Sequence, residues 1–150
     1  MKNHLLIIFF FIFTACGFKI VKNNDTHNYK ISEIIISGEK RVSHIIKSKL
    51  NNLSKKDSIN QISISFNAKI DKDIKEKNIK NEVTKYNVLI TVNGQLKDLN
   101  KQKITKFMVA KNGSYNVADN NSTTRSNEKK LILLLSEALI EEIINKIKET

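Results

Sequence analysis

The side chain with the clearest chemistry is a thiol, Cys16, the single cysteine of 150 residues. It follows a short basic start (Met1, Lys2, Asn3, His4), nine apolar residues over positions 5–13, and the small pair Thr14-Ala15. That pattern is a secretory signal ending in a lipoprotein cleavage box, in which the thiol is diacylated before cleavage leaves Cys16 as the mature N-terminus. Phe13 departs from the pattern, since an aliphatic residue is more usual three positions before the cysteine. A nine-residue helix spans about 14 Å, well short of the roughly 30 Å of a hydrocarbon core, so the segment exports rather than spans. Each buried acyl CH₂ contributes about 0.8 kcal/mol to membrane partitioning, and two or three chains hold the protein on the bilayer. With one cysteine, no disulfide forms within the chain.

Other candidate chemistry is sparse. Lys97, Lys101, Lys103 and Lys106 cluster around one strand connection, where ammonium groups could take anionic sugar or phosphate as point charges. A solvated hairpin tip is the competing reading of the same four residues. His4 falls in the signal, His27 in the segment after it and His44 on a helix, so no His pair at i, i+4 and no Cys-His cluster suggests a metal site. Asp71, Asp73 and Glu82 mimic positions one, three and twelve of a calcium loop, yet Lys75 and Glu76 occupy its fifth and sixth positions, where an oxygen ligand and a glycine are needed. Glu141 and Glu142 are adjacent on a helix and point about 100° apart, so they cannot flank one substrate bond. There is no Gly-x-Ser-x-Gly elbow and no glycine-rich phosphate loop. The expectation is a protein that is not an enzyme and carries no cofactor or metal.

The charge is strongly basic, with 26 Lys and Arg against 15 Asp and Glu and a formal net charge of +11. Such a balance favours an anionic partner or surface. Abundant Lys, Asn and Ile with no Pro and no Trp is also what AT-rich coding produces, so the basicity is weak evidence. No aromatic-plus-basic recognition motif is present, and nucleic acid is not expected as a partner.

These residues are positioned by alternating patterns. The expected organisation is a signal peptide over 1–15, a flexible tether from the lipidated cysteine over 16–28, and one domain over 29–150, a size that fits a single core. Residues 29–37 are rich in isoleucine and end at Gly38, as a buried strand does. Val42, Ile45, Ile46, Leu50 and Leu53 recur at helical spacing between Gly38 and Ser54. Ile62, Ile64, Phe66, Ala68 and Ile70 alternate with Ser63, Ser65, Asn67 and Lys69, the period of a strand with one wet face. A charged connection is expected over 71–81. Tyr86, Val88, Ile90 and Val92 alternate in a second long strand towards Leu96, and residues 94–100 turn the chain. A further strand is expected over 104–110, closed by a turn at Asn112-Gly113. From Ser126, Ile132, Leu135, Ala138, Leu139, Ile143 and Ile147 mark one side of a terminal helix. The sum is an α+β two-layer sandwich, a four-stranded sheet with two helices packed on one face, in the order β-α-β-β-β-α.

The run Ala15-Cys16-Gly17-Phe18, Thr84-Lys85-Tyr86 leading a long strand, Ser114-Tyr115-Asn116 after the last strand and the long terminal helix together resemble the LptE family of lipopolysaccharide-assembly lipoproteins. That resemblance implies an outer-membrane lipoprotein, facing the periplasm on its lipid anchor. It would plug the LptD barrel, help that barrel assemble and take part in lipopolysaccharide transport to the cell surface. Gly17 is in keeping with outer-membrane sorting, since an aspartate after the cysteine is the inner-membrane retention signal. The polar residues Ser63, Ser65, Asn67, Asn87, Thr91 and Asn93 suit the wet lumen of a large barrel. The alternative from another class is a stand-alone, lipid-anchored periplasmic binding module for an anionic ligand.

Overall fold

The structure, a computed structural model, describes residues 29–150. Cys16, His4, His27, the signal and the tether lie outside the described residues. Six elements follow in order: β1 (Tyr29–Gly38), α1 (Lys40–Leu53), β2 (Asn60–Lys77), β3 (Val83–Asp98), β4 (Lys103–Asn116) and α2 (Asn121–Lys148). The four strands form one sheet in the spatial order β1-β2-β3-β4, and both helices pack on the same face. This is the expected α+β sandwich.

β1 pairs parallel with β2, from Tyr29 opposite Asn60 to Gly38 opposite Ala68, with a bulge between Ile31 and Glu33. A parallel pair needs a crossover, and α1 supplies it. The reversal out of β1 requires a glycine: Gly38 sits at φ +80°, and a Cβ there would lie 2.1 Å from the Ala68 carbonyl oxygen. Glu39 then caps α1, its carboxylate accepting from the Arg41 backbone N–H, while its own N–H donates to Ala68 O at 2.8 Å. β2, β3 and β4 pair antiparallel. Val42, Ile46 and Leu50 of α1 and Leu139 and Ile143 of α2 meet Ile62, Ile64, Val88, Ile90, Val92 and Leu96 in a wholly buried core. Each such side chain contributes roughly 1.5–3 kcal/mol by leaving water.

Four boundaries differ from expectation. The charged stretch 71–77 is strand: β2 runs on to Lys77, because β3 supplies hydrogen-bonding partners along its whole length and both faces of this arm are solvated beyond the helices. The turn shrinks to residues 78–82, where Asn78 Oδ1 accepts from the backbone N–H of Lys80 and of Glu82. β3 likewise continues through Gly94 to Asp98, so the turn lies at 99–102. Asn112-Gly113 is not a turn. β4 passes straight through it to Asn116, and Gly113 is there for close approach: a Cβ would stand 2.8 Å from Leu131 Cδ1 of α2. Finally, α2 begins at Asn121, five residues before Ser126, with a polar first turn held by Asn120 Oδ1 accepting from Thr123 N at 2.7 Å.

The two ends of the sheet differ. At one end lie the start of β1, the 99–102 turn and the C-terminus, where Lys101 Nζ donates to Thr150 O at 3.2 Å. At the other, Tyr86 and Tyr115 stack with centroids 5.6 Å apart, and Lys72 Nζ sits 4.3 Å from the Tyr86 centroid and 3.6 Å from Glu128 of α2. Beyond this clamp the β2–β3 arm projects without a helix beneath it.

Candidate functional site: the open face of the sheet

Strand alternation sends every second side chain away from the helices, and cross-strand register sorts these into rungs. From the end where β1 starts they read Glu33, Ser63, Lys97 and Ile104; then Ile35, Ser65, Gln95 and Lys106; then Ser37, Asn67, Asn93 and Met108. Further along come Lys69, Thr91 and Ala110, then Asp71, Leu89 and Asn112, then Asp73, Asn87 and Ser114. No described element covers this face. Its interior strands are polar, and its apolar members sit mainly at the edges, with Ile35, Ile104 and Met108 56%, 57% and 68% exposed.

The second and third rungs frame a shallow hollow of about 350 Å³, lined by Ile35, Ser37, Ser65, Asn67, Gln95 and Lys106 among others. Asn67 Nδ2 donates to Ser37 Oγ at 3.0 Å, and Ser37 Oγ donates to Phe66 O at 3.2 Å, so β1 and β2 are cross-braced on this side. Carboxamides and hydroxyls both donate and accept, so the face can exchange hydrogen bonds with a wet, polar surface. Nothing in it is a nucleophile held by a base.

The structure divides the four lysines. Lys97 and Lys106 are diagonal neighbours on the open face, opposite Ile104 and Gln95 respectively. Lys101 is in the turn beside the start of β1, its Nζ 3.5 Å from Asp98 Oδ2 and bonded to Thr150 O. Lys103 pairs in register with Asp98, whose side chain is on the helix side of the sheet. Asp98 is buried and organises this turn: its Oδ1 accepts the backbone N–H of Lys101 and of Asn100, each at 2.9 Å. The Lys101 N–H foremost, with help from the Asn100 N–H and the Lys101 charge, holds the Asp98 carboxyl below its ordinary value. The lysine connection is therefore partly a structural lock.

Among the described residues no group of three or more His, Cys, Asp or Glu side chains could hold a metal ion. Asp71 and Asp73 sit in β2, with Asp71 paired to Lys69 at 2.7 Å, and Glu82 accepts from Asn78 Nδ2. His44 lies on α1 beside Ile45, Ser48 and Glu137. Among the described residues no helix is long and apolar enough to cross a membrane. Ser37, Gln95 and Ile35 are face residues that the sequence reading did not single out. Continuing the alternation of β3 through Gly94 would have found Gln95, which the glycine hid by suggesting a turn.

No protein-family model matches the chain, and no curated protein matches it in sequence. The fold, however, recurs among solved structures. The solution structure of the uncharacterized lipoprotein B from Nitrosomonas europaea superposes with a TM-score of 0.54 at 11% identity, covering 80% of this chain and 84% of that one. A candidate lipoprotein from Caulobacter crescentus gives a TM-score of 0.52 at 11% identity, covering 75% of this chain and 85% of its own. Rare lipoprotein B from Shewanella oneidensis gives 0.49 at 14% identity, covering 78% and 91%. These three are bacterial lipoproteins by name, and at these identities the likeness of the first two is one of fold.

Proposed function

We propose that this chain is a lipid-anchored outer-membrane protein, held by Cys16, that seats its open sheet face in the lumen of an LptD-type β-barrel. There it would help the barrel assemble and take part in moving lipopolysaccharide to the cell surface, by binding rather than catalysis. The observation that carries this reading is the uncovered polar sheet face backed by a fully packed helical layer. A sheet buried on one side only needs water or another polar surface on the other, and barrel interiors are polar. The Cys16 box and the fold shared with a protein named lipoprotein B support the lipid anchor.

The chemistry of the face favours a plug over a stand-alone module for an anionic ligand. Its charges are mixed: Lys69 pairs with Asp71 at 2.7 Å, Lys85 with Glu76 at 2.7 Å, and the hollow holds one lysine, Lys106, among neutral amides and hydroxyls. A cradle for phosphate gathers several cationic donors on one spot.

Affinity purification from mildly solubilised membranes tests the proposal. A plug co-purifies with a large β-barrel protein through an obligate-class interface of about 2,000 Å² or more, whereas a stand-alone module emerges unaccompanied. Recovery of the chain alone refutes the plug. Cys16→Ser should abolish acylation by mass spectrometry of the isolated chain, and a fatty-acyl adduct persisting in that variant would refute the anchor.

A further inference from the structure

The two edges of the sheet are not equivalent. At the start of β1 two outward backbone groups are covered locally, Ile31 N–H donating to Ser54 Oγ at 2.8 Å and Tyr29 O accepting from Lys55 N–H at 3.2 Å, and a bulge interrupts the strand between Ile31 and Glu33. Bulges and side-chain caps are how a sheet blunts an edge. β4 has no such interruption, its register with β3 running unbroken from Lys103 opposite Asp98 to Asn116 opposite Lys85.

Which groups of β4 point outward follows from parity. Val117 N–H donates to Thr84 O, so the odd-numbered residues of this strand bond to β3 and the even-numbered ones turn their N–H and C=O away from it. Among the described residues, the outward main-chain donors and acceptors of Ile104, Lys106, Met108, Ala110, Asn112 and Ser114 therefore have no partner and lie along one line, and five of the six are exposed. α2 overhangs this line. Leu131 and Leu135 lie over Gly113, Lys111 Nζ pairs with Glu142, and Leu134, one residue before Leu135, stands at the outer shoulder of the helix, 62% exposed.

We propose that β4 is a docking edge that takes an extended acidic segment of another protein as a fifth strand. Apolar side chains of that strand would pack under Leu134 and Leu131, and acidic ones would lie on the open face beside Lys106. Charge selects this occupant: β4 carries no acidic residue, its Lys106 stands on the open face diagonal to Lys97, and its other two lysines, Lys103 and Lys111, lie on the helix side, Lys111 already paired with Glu142. The same lysines, on a chain of net charge +11, oppose pairing with a second copy. Strand addition gains affinity from main-chain bonds and specificity from alternate side chains.

The test uses the purified full chain and a capped twelve-residue peptide alternating glutamate and valine. The peptide should bind one to one and slow hydrogen exchange of the Lys106, Met108 and Ala110 amides at least ten-fold while leaving those of β1 unchanged. Ala110→Pro removes one outward N–H without touching the ladder to β3 and should weaken binding about ten-fold, with Ala110→Val close to the parent. A peptide alternating lysine and valine should bind at least ten-fold more weakly. If Ala110→Pro fails to fold, Lys106→Glu serves instead and should reverse the preference between the two peptides. Equal binding by Ala110→Pro, equal binding of the two peptides, or dimerisation through β4 without peptide would each overturn the proposal.

Discussion

Ile90 and Thr91 are neighbours on the central strand β3 and face opposite sides of the sheet, so truncating each to alanine measures how differently the two faces are packed. Ile90 is fully buried, in register with Ile70 and Lys111. Ile90→Ala removes three carbons, a transfer loss of about 2.4 kcal/mol at roughly 0.8 per methylene. The void left between helix and sheet adds to this, giving about 4 kcal/mol in all, within the usual span of isoleucine-to-alanine changes. Against a typical domain stability of about 5–15 kcal/mol that is a large fraction, equivalent to a fall in Tm of about 15 °C. Thr91→Ala, on the open face between Lys69 and Ala110, should cost under about 0.5 kcal/mol. Urea denaturation followed by circular dichroism reads both, with unchanged slope confirming that compactness is preserved. Comparable losses in the two variants of the isolated chain would mean that the outer face is packed against something already. That result would refute the argument that it waits for a partner.

Three further outcomes follow from local geometry. Gly38→Ala forces a left-handed backbone on alanine and drives its Cβ into the Ala68 carbonyl, so urea denaturation should show a loss of about 2–4 kcal/mol. Asp98 and Glu39 have carboxyls held below their ordinary values, by the Lys101 backbone N–H and by the Arg41 side chain respectively, so their contribution is complete above the unfolded values of 3.8 and 4.5 and is lost as pH falls through the lower folded ones. The stability deficit of Asp98→Asn at pH 7 should accordingly close in strong acid when denaturation is followed against pH. Replacing residues 75–85 by Asn-Gly to join Ile74 to Tyr86 removes no buried side chain, and the melting temperature should fall by no more than about 5 °C.

Much of the fold was legible because its strands alternate strictly over the core. Ile62, Ile64 and Phe66 against Ser63, Ser65 and Asn67 gave both the element and the identity of each face, and the structure keeps every one of those assignments. What misled was punctuation. Gly94 and Asn112-Gly113 read locally as turns, but both lie inside paired strands, and at Gly113 the missing side chain makes room for α2, a tertiary reason that no local pattern contains. The charged arm over 73–77 has no apolar alternation to read, since it is exposed throughout and is strand through pairing alone. The lysine cluster is close in sequence but is split by alternation and by the turn, which leaves Lys97 and Lys106 on the open face. No sequence pattern identified Asp98 as the residue that binds the turn together.

The length of the sheet bears on how such a face could be used. β2 has 18 residues, about 59 Å at roughly 3.3 Å per residue, whereas the apolar band of an outer-membrane barrel is about 25 Å tall. A plug seated along this face would therefore extend beyond the band by about 34 Å. The helices back only part of that length. The part without them, past the Lys72–Tyr86–Tyr115 clamp, is two strands wide and rich in Lys, Asp and Glu with Ile74 and Ile79 exposed among them, slim enough to enter a narrow lumen. The thick part is at the end where the chain enters from the proposed anchor and where Lys101 ties the turn to the C-terminus. On the proposed reading this taper orients the plug: the broad, helix-backed end stays with the anchor on the periplasmic side, and the thin arm leads into the barrel.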